Sequence, residues 1–115
     1  MTKRYIDDYL QDILDAIADS QQFISGMTFT EFESDRKTIF AATRAVEIVG
    51  EAIKSIPQNI RDKYPEIPWK SFAGMRDKLI HQYFGVNLQV LWDTIQQDLP
   101  PLQTTISKIL EDLSV

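Results

Sequence analysis

The chain contains no cysteine and only one histidine, His81. The lack of cysteine excludes disulfides, a thiolate nucleophile and a cysteine zinc site. A metal site built on histidines needs more than one imidazole, so such a site would require a second copy of the chain. Proton transfer near neutral pH would therefore depend on His81, because histidine is the side chain whose unperturbed pKa lies in that range.

Long hydrophobic runs are also missing, and no apolar stretch approaches the length of a membrane span. The N-terminal residues MTKRYIDDYL are polar and lack the features of a secretory signal. We therefore expect a cytoplasmic protein with no membrane partner. The sequence has no Gly-rich phosphate loop, which argues against a nucleotide-binding enzyme, and we expect no cofactor.

Charge is unevenly distributed along the chain. The formal net charge of -5 argues against a protein that coats nucleic acid in general. Acidic residues dominate the first half, whereas residues 54–78 have an excess of basic ones: Lys54, Arg61, Lys63, Lys70, Arg76 and Lys78. A solvated mixed surface is the simpler interpretation of this segment. The alternative is a local basic patch that holds phosphates.

Apolar residues recur at helical spacing through most of the sequence, and alternating runs typical of strands are missing. This pattern predicts a single all-α domain over residues 1–115, an up-and-down bundle of four main helices. We expect the last helix to be kinked or split at Pro100 and Pro101, because proline cannot continue the backbone ladder. The predicted helices cover about 4–24, 31–55 and 68–85, and then run from 87 to the C-terminus.

Local signals mark several of the expected boundaries. Thr28 or Thr30 can cap the second helix, and Asn87 is a good N-cap for the fourth. A short helical turn is expected around 59–63, within a proline-rich connector. Gly50 interrupts the second helix, and a glycine there costs up to about 1 kcal/mol relative to alanine. We therefore expect Gly50 to pack closely against a neighbouring element.

Arg76, His81 and Tyr83 form an R-x-x-x-x-H-x-Y pattern on the predicted third helix. Arg76 and Tyr83 are seven residues apart and share a face of a regular helix, whereas His81 is displaced from that face. Asp77 lies four residues before His81, and a pair between them would favour the imidazolium. From the spacing alone, a structural or surface role for these residues is the simpler interpretation.

A wider set of segments resembles the HepT-like family of HEPN-domain proteins, whose hallmark is this R-x-x-x-x-H-x-Y motif. The matching segments are VGEA, YPEIPW, AGMRDKLIHQYFGV and LWDTIQQDLPPL, in the order of the family. The resemblance implies a HEPN-like fold and a metal-independent endoribonuclease that is the toxin of a toxin-antitoxin pair. It further implies a homodimer in which the motif helices meet, with Arg76 and His81 as catalytic residues. The implied antitoxin is a cognate minimal nucleotidyltransferase that transfers AMP to Tyr83.

The chemistry of RNA cleavage is compatible with these residues. Attack by the neighbouring 2′-hydroxyl needs a base, an acid for the leaving 5′-oxygen, and positive charge for the phosphorane. His81 can serve as base or acid, and the guanidinium of Arg76 can hold the phosphate. Because one chain offers one imidazole, a two-fold dimer would be needed to supply a second one. AMP on Tyr83 would add bulk and negative charge where RNA must bind.

Three further residues are candidates for supporting roles. Lys70 and Lys78 can contact the RNA backbone, although solvated helix lysines are the simpler interpretation. Glu51, in the family's G-E-A segment, is expected to face the motif helix and orient Arg76.

The alternative function is a non-catalytic helical docking module that binds a nucleotidyltransferase partner. The acidic net charge gives that alternative some weight, whereas the intact motif favours the ribonuclease.

Overall fold

The computed structural model describes residues 4–79 and 85–114, and these residues form helices joined by short connections. The all-α prediction is confirmed. The helices are α1 Ile6–Ile24, α2 Phe29–Glu33, α3 Arg36–Lys54, α4 Gln58–Lys63, α5 Trp69–Ala73, α6 Met75–Leu79, α7 Leu88–Asp93 and α8 Leu99–Leu113, with a π-helical turn at Thr94–Asp98 between the last two. Within the described ranges, no helix has the length and apolarity needed to cross a membrane.

The core is built by the three long helices, with α1 packed against both α3 and α8. Each helix buries one apolar stripe, as helical periodicity predicts. Full burial of each such side chain contributes about 1.5–3 kcal/mol relative to leaving it exposed. The fully or almost fully buried members include Leu10, Ile13 and Ile17 from α1, Val46, Val49 and Ile53 from α3, and Leu102, Ile106 and Ile109 from α8.

The predicted second helix is divided into α2 and α3 by a pair of capping residues. Thr28 caps α2: its Oγ1 accepts from the Glu31 N–H at 3.1 Å, and its own N–H donates to the Glu31 carboxylate at 2.9 Å. Asp35 then caps α3 by accepting from the Thr38 N–H at 3.0 Å. Side chains of this type satisfy the orphan donors of a helix start, so Asp35 begins a new helix.

The fourth predicted helix is split just before its two prolines. Asn87 caps α7 as predicted, since its Oδ1 accepts from the Val90 N–H at 3.1 Å. The π-helical turn follows, and α8 then begins with Pro100 and Pro101 in its first turn. That position is favourable because the first N–H groups of a helix have no partner within the helix.

Gly50 lies where α3 meets α5. A Cβ at this position would be 3.0 Å from the carbonyl oxygen of Phe72 and 3.9 Å from that of Ala73. The expected close packing is confirmed, and it brings the backbone of α5 directly against α3. This contact determines where the following helix, α6, lies along α3.

The third predicted helix is not continuous in its described part. Gly74 ends α5 by donating its N–H to the Lys70 carbonyl at 3.0 Å, and α6 starts at the next residue. Residues 80–84, the remainder of the predicted helix up to Gly85, lie outside the described residues. Beyond the break, α6 packs against α3 and α7.

Tyr64 connects the segment after α4 to the end of α8. Its hydroxyl donates to the Asp112 carboxylate at 2.5 Å. This hydrogen bond is the main cause that raises the pKa of Tyr64 above its usual 10.0, and desolvation and the charge of Asp112 act in the same direction. The phenolate is disfavoured because it would lose the donated proton and face the carboxylate.

Candidate functional site

Arg76 lies on α6 and reaches the side of α3. Its Nε is 3.6 Å from Oε2 of Glu47, a distance that makes an ion pair and exceeds that of a hydrogen bond. The Arg76 side chain is 69% exposed, whereas Glu47 is only 17% exposed. The partly buried carboxylate of Glu47 therefore contacts the Nε side of the guanidinium, and the other donors of Arg76 remain largely open to solvent. Because it is already exposed, the Arg76 guanidinium can bind a phosphate without first leaving the protein interior.

Glu47 is the supporting residue that the sequence interpretation did not identify. Glu51, which was expected to orient Arg76, instead pairs with Arg44 through a contact of 3.1 Å between Nη1 and Oε1. Glu47 and Glu51 are four residues apart and occupy one face of α3. Their spacing alone cannot tell which turn of α3 meets α6, because that depends on the contact between Gly50 and Phe72.

The other two motif residues, His81 and Tyr83, lie outside the described residues. Their expected roles remain predictions, as does the pair between Asp77 and His81. Asp77 itself is exposed on α6. The described residues that flank the segment are joined by a hydrogen bond of 2.7 Å from the Asn87 N–H to the Leu79 carbonyl. Gly85 has a φ of +81°, in the left-handed region that favours glycine.

The two candidate phosphate-contacting lysines lie in different surroundings. Both Lys70 and Lys78 are exposed. Lys78 lines an open cleft of about 710 Å³ between α5 and α6 on one side and the π-helical turn and α8 on the other. The cleft floor is apolar, with Phe72, Met75 and Leu102, and its rim carries both charges. Lys70 lies outside this lining.

Arg61, part of the basic excess of residues 54–78, has a structural role. Its Nε donates to the Ile56 carbonyl at 3.0 Å and its Nη2 to the Ile53 carbonyl at 2.7 Å. The Ile53 carbonyl is in the last turn of α3, where helix acceptors lack partners within the helix, and Ile56 lies two residues beyond the end of α3. Arg61 therefore helps to cap the C-terminal end of α3, and not all of its donors are available to bind a phosphate. Among the described residues, no group of three or more His, Cys, Asp or Glu side chains could hold a metal ion.

Comparison with known proteins shows which family the sequence matches. Residues 13–109 match the family described as Ribonuclease HepT-like. The chain is 49% identical over 107 residues to a protein of Thermococcus cleftensis named "Probable ribonuclease HepT", covering 93% of this chain and 97% of that protein. It is 44% identical over 113 residues to a Methanocaldococcus jannaschii protein named as a candidate RNase, covering 98% and 93%.

A bacterial relative, from Caldanaerobacter subterraneus subsp. tengcongensis, is also named as a candidate RNase and is 42% identical over 103 residues, covering 90% of this chain and 92% of that protein. No solved structure matches the chain significantly. The family match spans most of the sequence and includes the residues that place Arg76 against Glu47. The chain therefore belongs to the Ribonuclease HepT-like family.

Proposed function

We propose that this protein is a metal-independent endoribonuclease toxin that cleaves RNA through attack of the 2′-hydroxyl. The observation that carries the proposal is the exposed Arg76 guanidinium, whose Nε pairs with Glu47. Arg76 lies within the part of the chain that matches a ribonuclease family. An arginine presented in this way can bind a phosphodiester and stabilise the charge that develops on it. The names of the relatives support RNA as the substrate class.

In the proposed reaction, the RNA 2′-oxygen attacks the adjacent phosphorus as His81 removes the 2′-hydroxyl proton. The bond from phosphorus to the 5′-oxygen breaks, and that oxygen takes up a proton from a second imidazole. The products are a 2′,3′-cyclic phosphate and a 5′-hydroxyl. Arg76 would neutralise the phosphorane formed between these two events.

The reaction as written uses two imidazoles, and each chain has a single histidine. We propose a homodimer that places both copies of His81 and Arg76 at one site, as a two-fold interface allows. Changes that separate the two copies should then abolish cleavage even when Arg76 and His81 are intact. This expectation rests on the single histidine of the chain.

We further propose that a cognate nucleotidyltransferase silences the enzyme at Tyr83. The phenolic oxygen of Tyr83 would attack the α-phosphorus of ATP, pyrophosphate would leave, and the phenolic proton would pass to a base of the partner. The product is an AMP ester on Tyr83, two residues from His81 in sequence. The added phosphate is negative and bulky, so it would repel and occlude RNA.

The test is cleavage of total RNA in excess EDTA by the purified protein, with the mass of Tyr83 recorded for each preparation. We expect fragments with 2′,3′-cyclic phosphate ends from the parent, and none from Arg76→Ala or His81→Ala. Arg4→Ala is the matched control, because Arg4 is an exposed arginine paired with Asp12 near the start of α1. It should cleave like the parent.

Two other results have distinct meanings. A parent that does not cut RNA although Tyr83 is unmodified would refute the ribonuclease and favour a docking module for the nucleotidyltransferase. Loss of cleavage in a preparation that carries extra AMP mass on Tyr83 would instead support silencing by modification. Removal of the AMP should then restore cleavage.

A further inference from the structure

The outer face of α3 carries a row of polar and charged residues around one exposed aromatic ring. At 100° per residue these positions fall within an arc of about 80°. We call this row the α3 stripe, and its members are Arg36, Phe40, Arg44, Glu47, Glu51 and Lys54. Glu47 is the residue that pairs with Arg76, so the α3 stripe runs directly to the candidate catalytic arginine.

Phe40 is exposed in a way that core packing does not explain. The residue is 61% exposed, and the Cζ of Arg36 lies 5.3 Å from the centre of its ring. A guanidinium at this distance makes a cation–π contact that orients the ring. Phe32, on α2, is by contrast fully buried, with its ring centre 5.2 Å from that of Trp92. Phe40 therefore presents a partly oriented aromatic surface to solvent.

The charges on the α3 stripe favour a polyanion, although the whole chain is acidic. The two carboxylates, Glu47 and Glu51, are each paired with an arginine. Arg36 and Lys54 add positive charge that neither carboxylate balances. With Arg76 included, four cationic side chains face two carboxylates along this surface. Local positive charge of this kind attracts a phosphate backbone whatever the net charge of the chain.

Phe40 precedes Glu47 by seven residues, which corresponds to about 10 Å along the helix. A strand whose phosphate binds Arg76 would thus have a neighbouring base within reach of the Phe40 ring. We propose that Phe40 is a stacking platform for a base of single-stranded RNA, flanked by Arg36 and Arg44, which positions the strand for cleavage at Arg76. This inference rests on the proposed ribonuclease function and adds to it a substrate preference: unpaired RNA.

The composition of the surface favours RNA over a second copy of the chain as the occupant. The buried centre of a protein interface is depleted of charged residues, whereas Phe40 is surrounded by them. Proteins that bind single strands combine a positively charged groove with aromatic rings on which bases stack, and arginine adds cation–π contacts. Stacking does not depend on base identity, so we expect weak sequence preference at this position.

The test measures binding of a short labelled 2′-O-methyl oligoribonucleotide by fluorescence anisotropy, since this RNA lacks the attacking hydroxyl and stays intact. Phe40→Ala should raise the Kd about 5- to 150-fold, the range found when a stacking aromatic is truncated. Phe40→Trp should bind like the parent. The matched control is Phe23→Ala, an exposed phenylalanine on α1 that is 39% exposed and lies outside the α3 stripe.

Cleavage kinetics provide the second measurement. For single-stranded RNA, Phe40→Ala should raise KM and leave kcat nearly unchanged, because stacking binds ground state and transition state alike. Binding of a blunt RNA duplex should be unaffected, since its bases are already stacked. Phe40 is exposed in the middle of α3, where alanine favours the helix, so the variant should remain folded.

Three results would overturn the inference. The first is a Phe40→Ala protein with the parent's Kd and KM, and the second is a parent that does not bind the oligonucleotide. The third is a change in molar mass on Phe40→Ala, measured by light scattering, which would make the α3 stripe an interface between copies. Because cleavage by the parent is measured separately, a parent that cuts RNA while Phe40→Ala is normal would refute only the stacking platform.

Discussion

Replacing Gly50 with alanine tests whether the contact between α3 and α5 positions the candidate site. The new Cβ would lie 3.0 Å from the Phe72 carbonyl oxygen and 3.9 Å from the Met75 Cβ. The first distance is too short for an ordinary van der Waals contact. The atom in the way belongs to the backbone, so it cannot move aside like the end of a flexible side chain.

The expected loss of stability is the difference between two opposing effects. Overpacking a close contact costs about 1–3 kcal/mol, whereas alanine in a helix interior gains up to about 1 kcal/mol over glycine. The segment leading into α5 resists displacement, because Trp69 donates its Nε1–H to the Tyr64 carbonyl at 3.0 Å. We therefore expect Gly50→Ala to lower the free energy of unfolding by about 1 kcal/mol.

Urea unfolding and thermal circular dichroism would measure this change. A loss of about 1 kcal/mol corresponds to a fall in Tm of about 4 °C for a domain of this size. Gly74→Ala is the matched control, because its Cβ would lie 3.5 Å from the Lys70 carbonyl, an ordinary contact. RNA cleavage by Gly50→Ala should also fall, since a shift of α5 and α6 moves Arg76 away from Glu47. A Gly50→Ala protein as stable as the parent would refute the argument that this contact is tightly packed.

Three further predictions follow from single contacts. Glu47→Gln should reduce RNA cleavage by up to about fivefold, because it removes a partly exposed ion pair to Arg76, the candidate catalytic arginine. Glu51→Gln, which loses a pair on the same face of α3, should cleave like the parent, and the opposite ranking would refute the assignment. Thr28→Ala should lower the free energy of unfolding in urea by about 0.5–2 kcal/mol, because it removes an N-cap, and an unchanged midpoint would contradict that role. Tyr64 should ionise above pH 10 in an ultraviolet titration, because its pKa is raised in the folded protein. The stabilisation behind this raised pKa is present below the unfolded pKa and is lost as pH rises through the folded pKa. Asp112→Asn should lower the pKa of Tyr64, and no shift would show that the hydrogen bond is not the cause.

Local signals in the sequence were sufficient for most of the helix boundaries. Thr28 and Asn87 are caps whose side chains bond N–H groups three residues away, so the information lies within one turn. The prolines at 100 and 101 act on the adjacent backbone and split the last helix just before them. The break at Asp35 was missed, although an aspartate followed by a helical pattern is a start signal. The apolar spacing continues without interruption across this point, so the sequence pattern predicted one helix where the structure has two.

The candidate site was only partly predictable from the sequence. The R-x-x-x-x-H-x-Y motif and the matching segments around it are properties of the sequence, and together they indicated the family that the comparisons then established. The partner of Arg76 was not predictable, because Glu47 and Glu51 occupy the same face of α3 and differ only by one turn. Phe40 differs in this respect, because helical periodicity alone places it on the charged face of α3, beside Arg44 and Glu47.

The sequence by itself thus determined the all-α class, the caps, the proline break and the motif, because each depends on residues within a few positions of one another. Only the tertiary structure decided that Glu47 holds Arg76 and that α5 and α6 divide at Gly74. These features depend on where one helix crosses another. That crossing is set by the close approach of Gly50 to the Phe72 carbonyl, between residues more than twenty positions apart in the chain.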